Sequence, residues 1–440
     1  MYLHLKMQGA SKAVTPREAV PVNRIAPFGK RIRPPGPVRF ALDDGGGPWQ
    51  AIPMLRDLII SRGPAAGFVA VGLYWGAFAA LVPDLKPQVG LSDGGFGLAM
   101  LVSAAGAVLA MWLAPLAQRR LGNGDLPVSG LLMALAFLLP GLAGGGVTFA
   151  LAMMAAAMAS GTLDVSMNAR LSMLEGQSRR SLMNLNHGIY SAAYAVAALM
   201  TGLAREAGWS PFAVFAALAL PVVALCVLMA RAPVRETPPE EGAPPAAPLS
   251  WWVLAPLGAI VLLGFLAEQG TEGWSALHLE RTLGAGAAQG ALGPAILGVT
   301  MALGRFSGQV VAQRVSEAAV IRLAAVLTCA GAVTAAFAPG LAVAYAGFAV
   351  LGLGVSVVAP MAFSWCGRLV SSEFKALAIS RVAVLGYAGF FVGPPLMGGL
   401  AEGFGLGASF AVVGALMLAI PLVLVPLVRR AAATAMTPAE

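Results

Sequence analysis

Charge is scarce in this chain: Asp, Glu, Lys and Arg make up 11% of its 440 residues, against about a quarter in a soluble domain. Apolar types reach 58% and mean hydropathy is +0.79, which excludes an ordinary soluble globular protein. Cysteine is limited to Cys226, Cys329 and Cys366, each alone in or beside an apolar run. Neither a disulfide framework nor a thiolate metal site has the spacing it needs, and no metal or cofactor is expected. Histidine is limited to His4, His187 and His278. The run Gly144-Gly145-Gly146 follows no strand and precedes no Lys, so it is no phosphate loop. No apolar stretch in residues 1–62 is long enough for a signal-peptide core ahead of a cleavage site.

What the chain does have is apolar length. Twelve runs lie near 64–83, 95–116, 126–143, 147–168, 183–204, 209–229, 251–272, 289–312, 318–338, 341–363, 377–399 and 407–428. Each is close to the roughly 20 residues that cross about 30 Å of hydrocarbon as a helix, and none alternates as a barrel strand does. The expected fold is an all-α membrane protein, with twelve transmembrane helices in two pseudo-symmetric six-helix bundles.

The basic residues sort by side. With the N-terminus cytoplasmic, ten of the 28 Lys and Arg lie in the N-terminal segment and fourteen at gaps or helix ends on that side. Lys86, Arg205 and Arg281 lie on the other side, and Arg305 alone lies further inside a helix. That bias is the positive-inside rule, and it puts both termini in the cytoplasm. The net charge of +8 therefore reflects membrane topology, with +6 of it in the tail, and argues for no nucleic-acid partner.

Along the chain, residues 1–62 read as a disordered cytoplasmic tail, with Met54 as an alternative start. A first six-helix bundle spans 63–230, a Pro-rich charged linker 231–250, a second bundle 251–430 and a short cytoplasmic tail 431–440. The halves look like copies. At an offset of 194, Gly76, Leu85, Gly90 and Arg120 fall on Gly270, Leu279, Gly284 and Arg314. A duplicated unit is what parallel-repeat transporters show, with the substrate path between the halves near the bilayer midplane.

At this point the chain resembles the major facilitator superfamily, over about residues 64–430. The family's usual signature between helices two and three is Gly-x-x-x-Asp-Arg-x-Gly; here Pro115 to Gly122 retains Arg120 and Gly122, with Arg119 where the Asp would stand. In the second half Arg314 fits and Gly308 falls one place early. The resemblance implies that Arg119, Arg120, Gly122, Gly308 and Arg314 belong to gating loops. The stretches Gly161–Asn168 with Glu175 and His187, Glu268–Ser275, and Gly386-Tyr387 through Gly393-Pro394-Pro395 are similar to the branch containing the bacterial inner membrane protein YbjJ. That likeness implies a bacterial inner membrane location.

Ionisable groups inside a membrane cost about 2.5 to 3.5 kcal/mol each on insertion scales and usually face a cavity or a partner. Glu268 and Glu272 share one face of helix seven, where the first half has Tyr74 and Phe78. They are candidates for proton coupling, against the reading that Glu272 is hydrated near the outer surface and Glu268 caps a helix break. Asp164 and Asn168 share a face of helix four, and His187 enters helix five about one turn from the same surface. A proton relay or inner gate competes here with pairing of Asp164 to Arg170 or to backbone. Arg305, equivalent to Met111, either holds an anionic group such as Glu268 or snorkels to the inner surface. Tyr74, Trp75, Tyr190, Gln269, Trp274 and Tyr387 are the further substrate-cavity candidates, Tyr74 and Tyr387 because the resemblance puts helices one and eleven at the cavity. His278, at an outer helix end, is expected to be solvated.

These readings converge on a monomeric secondary transporter of a small organic solute, coupled to protons and embedded in the lipid bilayer. A sensor without flux is the alternative. A lipid-modifying enzyme is disfavoured, because His187 and His278 lie near opposite faces and no nucleophile, base and metal set shares one depth.

Overall fold

The structure is a computed structural model and describes residues 53–232, 251–311, 315–370 and 374–436. The tail before residue 53, most of the linker and Arg314 lie outside the described residues. After a short helix at Pro53–Ile60, the first half runs α1 (Arg62–Gln88), α2 (Asp93–Leu121), α3 (Asp125–Ala136, continued by Leu138–Leu142), α4 (Gly146–Ser178), α5 (Met183–Glu206) and α6 (Pro211–Ala230). The second half runs α7 (Trp251–Leu283), α8 (Ala287–Val311), α9 (Glu317–Ala336) and α10 (Leu341–Leu369). It ends with α11 (375–404) and α12 (406–436), the latter relaxing into a π turn at Ile420–Leu424. No strand occurs among the described residues.

Among the described residues, nine stretches are long and apolar enough to cross a membrane by length and composition. Two of them fold back on themselves. The turn Gly122–Gly124 separates α2 from α3, and Gly405, at φ 84°, separates α11 from α12. A side chain resists that backbone region. The twelfth span is α5, made less apolar by Asn184, Asn186, His187 and Arg205.

Local chemistry sets several of the helix starts. Ser92 caps α2 by accepting from the Gly95 amide at 3.1 Å, and Ser210 caps α6 by accepting from Ala213, with Pro211 in the first turn. At the turn into α5, the Glu175 carboxylate accepts from the Leu182 and Met183 amides at 2.6 and 2.8 Å.

The duplication is visible in the backbone. Gly90 and Gly284, repeat-related by sequence, both turn with positive φ, 65° and 68°. Gly76 lets α1 pack on the backbone of α5 at Tyr194, and its counterpart Gly270 lets α7 pack on α11 at Met397. A matching ion pair occurs in each half. Arg170, near the basic end of α4, pairs with Asp125 at the start of α3, and Arg368, near the basic end of α10, pairs with Glu317 at the start of α9.

Some helices outrun the hydrophobic runs that announced them. The apolar signal for α7 ends near 272, yet the helix continues to Leu283. Its last turns carry Glu272, His278 and Glu280, which depress hydropathy but stay under protein cover, His278 fully and the two glutamates mostly. Backbone beneath packed neighbours has no water to bond and so remains helical.

Candidate transport site

The seam between the halves is crossed near its middle by one guanidinium. Arg305 on α8 lies 3.1 Å from Glu268 on α7, donates to Ser191 Oγ on α5 at 2.5 Å, and approaches the His187 carbonyl at 3.5 Å. It therefore turns inward rather than snorkelling to the basic surface. Glu268 and Arg305 are 15% and 14% exposed, so the seam is partly open beside them and forms a shallow cleft between the halves. Glu268 caps no helix break, because α7 runs unbroken through it.

One turn along α7, Glu272 accepts a 2.8 Å hydrogen bond from Gln269. It is not at a hydrated surface: with Trp75, Phe78, Phe96, Gln269 and Trp274 it lines a cavity of about 20 Å³, room for one water-sized group. On α4, Asn168 bonds the Asp164 carboxylate at 3.0 Å and its carbonyl at 2.9 Å. Arg170 does not pair with Asp164. Its two terminal nitrogens go to Asp125, to Asn123 Oδ1 at 3.0 Å and to the Gly122 carbonyl at 2.8 Å.

Tyr190 on α5 joins these groups, since Glu272, Glu268, Arg305 and Asp164 all lie within electrostatic reach of it. Asp164 also reaches Tyr387 on α11, whose ring is 38% exposed and stacks on Phe265 of α7 at 5.8 Å. His187 enters differently from expectation. Its ring packs edge-on against Phe68 at 4.8 Å within electrostatic reach of Arg305, and its carbonyl lies 3.5 Å from the Arg305 guanidinium and accepts from Ser191.

Two aromatic candidates lie elsewhere. Tyr74 is fully buried inside the first bundle, stacked on Phe137 at 4.7 Å with its hydroxyl 3.5 Å from the Ala134 and Phe215 carbonyls. The α1 face that carries it points into its own half rather than at the cleft. Trp274, 1% exposed, packs edge-on against Phe96 of α2 and walls off the small cavity. Trp75 lines that cavity and packs edge-on against Phe78 and Phe137. His278 is likewise not solvated: it is 1% exposed, bonds the Ala335 carbonyl at 3.0 Å and packs against Phe348 and Phe410.

At the end of the bundle away from the basic residues, the halves are tied by a set of bonds that hydropathy did not announce. Arg205 on α5 holds Asp84 on α1 at 2.7 Å and Glu280 on α7 at 2.7 Å. Asp93 on α2 takes Lys86 of its own half at 2.8 Å and Arg281 of the other at 2.7 Å. Glu402 of the second half accepts from the Gly94 amide at 2.6 Å, and Glu206 of the first from Ala288 at 3.0 Å. Gly97 and Gly398 bring α2 and α11 into backbone contact beside them. The ion pairs Arg180–Asp57, Arg170–Asp125 and Arg368–Glu317 at the basic end each stay within one half.

Of the loop candidates, Arg119 and Arg120 end α2 as exposed side chains, Gly122 terminates it with φ 53°, and Gly308 sits in the last turns of α8. A sequence signal for the far-end ties was present in Lys86, Arg205 and Arg281, the three basic residues on the sparsely charged side, each near an acidic residue.

Twelve spanning helices in two like halves, with charged groups meeting at their seam, define a membrane transporter rather than an enzyme. The family model of the major facilitator superfamily matches residues 274–439 of the chain, most of its second half. It is 28% identical over 355 residues to an uncharacterised MFS-type transporter of Yersinia pestis, covering 80% of this chain and 92% of that one. It is 29% identical over 343 residues to the membrane protein MosC of Rhizobium meliloti, covering 78% and 84%. Among solved structures it shares the fold of the nucleoside transporter NupG (TM-score 0.64, 11% identity, 84% and 98% covered). It also shares that of a D-xylose-proton symporter (TM-score 0.65, 16% identity, 83% and 96% covered).

Proposed function

We propose that this transporter moves a small organic solute by secondary active, alternating access and is coupled to protons at the Glu268–Arg305 pair. The observation that carries the reading is Arg305 itself: it is bonded at once to a carboxylate of its own half and to Ser191 of the other. Protonation of Glu268 removes its charge from that pair and leaves the guanidinium held only from the first half. The balance of attraction across the seam then changes, which is what a coupled carrier requires. Asp164, Asn168, Tyr190 and Tyr387 supply further polar and aromatic surface to the same cleft. The D-xylose-proton symporter and the nucleoside transporter that share the fold are consistent with a small polar solute.

In this reading the halves 63–230 and 251–430 rock as units in a bacterial inner membrane, with the basic end cytoplasmic. The far-end ties then make this conformation closed to the outside. A screen for thermal stabilisation by sugars, acids, peptides, amines and nucleosides identifies a binder, and proteoliposomes under an imposed pH gradient test its movement. Gradient-driven accumulation that is lost in Glu268→Gln supports the coupling; transport indifferent to the gradient in both proteins overturns it.

A further inference from the structure

The geometry points to a solute that carries a primary ammonium group, with Glu272 as its counter-charge. This rests on the transporter reading above and narrows it to a class of substrate.

The seam holds three carboxylates, Asp164, Glu268 and Glu272, and one guanidinium. Arg305 is taken up by Glu268 and Ser191. Among the described residues, Glu272 has only the Gln269 amide as a partner and Asp164 only Asn168. Each is bonded to a neutral donor, Arg305 acting on Glu272 only at longer range, so the seam's three carboxylates outnumber its one guanidinium and a positive solute group would complete them. An anionic solute would have to displace Glu268 from Arg305 and then sit beside two further carboxylates.

A second observation is independent of the carboxylates. The hydroxyl of Tyr194, a residue 2% exposed, has no hydrogen-bond partner among the described residues, and the groups within electrostatic reach of that side chain are Glu272, Tyr190 and Glu268. A buried hydroxyl without a partner costs free energy, and this one lies within electrostatic reach of the seam carboxylates Glu272 and Glu268.

Size selects within the class of cations. The cavity beside Glu272 has about 20 Å³ of space, room for one water-sized group, which favours a compact cation over a guanidinium or a trimethylammonium. A primary ammonium is compact and has three donors to share. Glu272, held by the Gln269 amide, supplies a carboxylate acceptor at the cavity wall. The rings of Trp75, Phe78, Phe96 and Trp274 complete it, and aromatic faces attract a desolvated cation. The body of the solute extends from there toward Tyr190 and Tyr387 along the cleft.

The test uses the purified full-length protein and matched probes on several two- to six-carbon skeletons. Each skeleton carries in turn a primary ammonium, a hydroxyl, a carboxylate or a trimethylammonium, and thermal stabilisation is titrated for each. Stabilisation confined to primary ammonium members is expected. It should weaken at least about tenfold in Glu272→Gln, as loss of a charged hydrogen-bond partner does, and about three- to tenfold in Tyr194→Phe, which removes one hydroxyl and should fold normally. Stabilisation by hydroxyl, carboxylate or trimethylammonium members equal to or greater than that by the amines overturns the proposal, as does no stabilisation by any amine or insensitivity to both substitutions. Amine binding without gradient-driven uptake into proteoliposomes would defeat the coupling reading and leave the ammonium site standing. Gradient-driven uptake of a carboxylate would do the reverse.

Discussion

Arg205 of α5 lies 2.7 Å from Glu280 of α7 and 2.7 Å from Asp84 of α1, so one buried guanidinium fastens the two halves together at the end away from the basic residues. The pair that crosses the seam is the more protected of the two, with Glu280 at 16% exposure and Asp84 at 38%.

Arg205→Ala should therefore loosen that closure. Removing one partner of a fully buried pair costs about 3–5 kcal/mol; the solvent available to Asp84 reduces this to about 2 kcal/mol. Spin labels at Trp209 and Thr282, one on each half, should report a longer and broader distance distribution than in the parent protein. An unchanged distribution would show that the helix packing at Gly97 and Gly398 holds the end closed without it.

The Glu268–Arg305 pair should behave non-additively. Arg305→Ala strands a carboxylate in the membrane interior, at a cost of about 3 kcal/mol. Adding Glu268→Gln should recover a good part of that loss, because the stranded charge disappears. Thermal unfolding of the two single variants and the double variant in detergent measures the coupling; strict additivity would mean that the two side chains do not share a bond in solution.

Tyr74 separates packing from solute contact. Tyr74→Ala should cost about 3–5 kcal/mol of stability, as large-to-small changes in a core do. Tyr74→Phe should cost less than about 1 kcal/mol, because its hydroxyl contacts at 3.5 Å are at the limit of a hydrogen bond. Solute affinity in Tyr74→Phe should be unchanged, and a large drop in affinity at normal stability would put the ring in the cleft after all.

Arg170 should prove structural. Arg170→Ala is expected to lower stability by about 3–5 kcal/mol by leaving Asp125 buried without its cation, and Arg170→Met with Asp125→Leu should lose much less. If the single and double variants melt alike, the bond to Asp125 contributes little and the carbonyl of Gly122 is the more important acceptor.

The spans were legible because a bilayer imposes a length on every apolar run and a side on every exposed cation. Their ends were less so: α7 outlasts its hydropathy at Glu272, since neighbouring helices shelter polar residues that a single chain can only advertise as polar. Arg305 and Glu268 stood out because each breaks an apolar stretch, and their mutual contact needed only two adjacent helices. Tyr74 was placed at the cleft on the strength of its helix, but the helix has two faces, and only the packing of Phe137 and Phe215 says which one it occupies. The Arg205 tie was hidden for another reason. It joins Asp84, Arg205 and Glu280, residues 121 and 75 positions apart along the chain, and no local spacing encodes such a meeting.

The turns at Gly90 and Gly284 share a left-handed backbone, and the glycines at 76 and 270 perform the same packing in each half. The charges at the seam are not common to both: Glu268, Glu272 and Arg305 stand where the first copy has Tyr74, Phe78 and Met111. The scaffold is thus common to the two copies, while each brings its own charges to the seam, Asp164 from the first and Glu268, Glu272 and Arg305 from the second. Because these groups have no counterpart in the opposite copy, solute preference can change at single positions while the scaffold stays fixed in both.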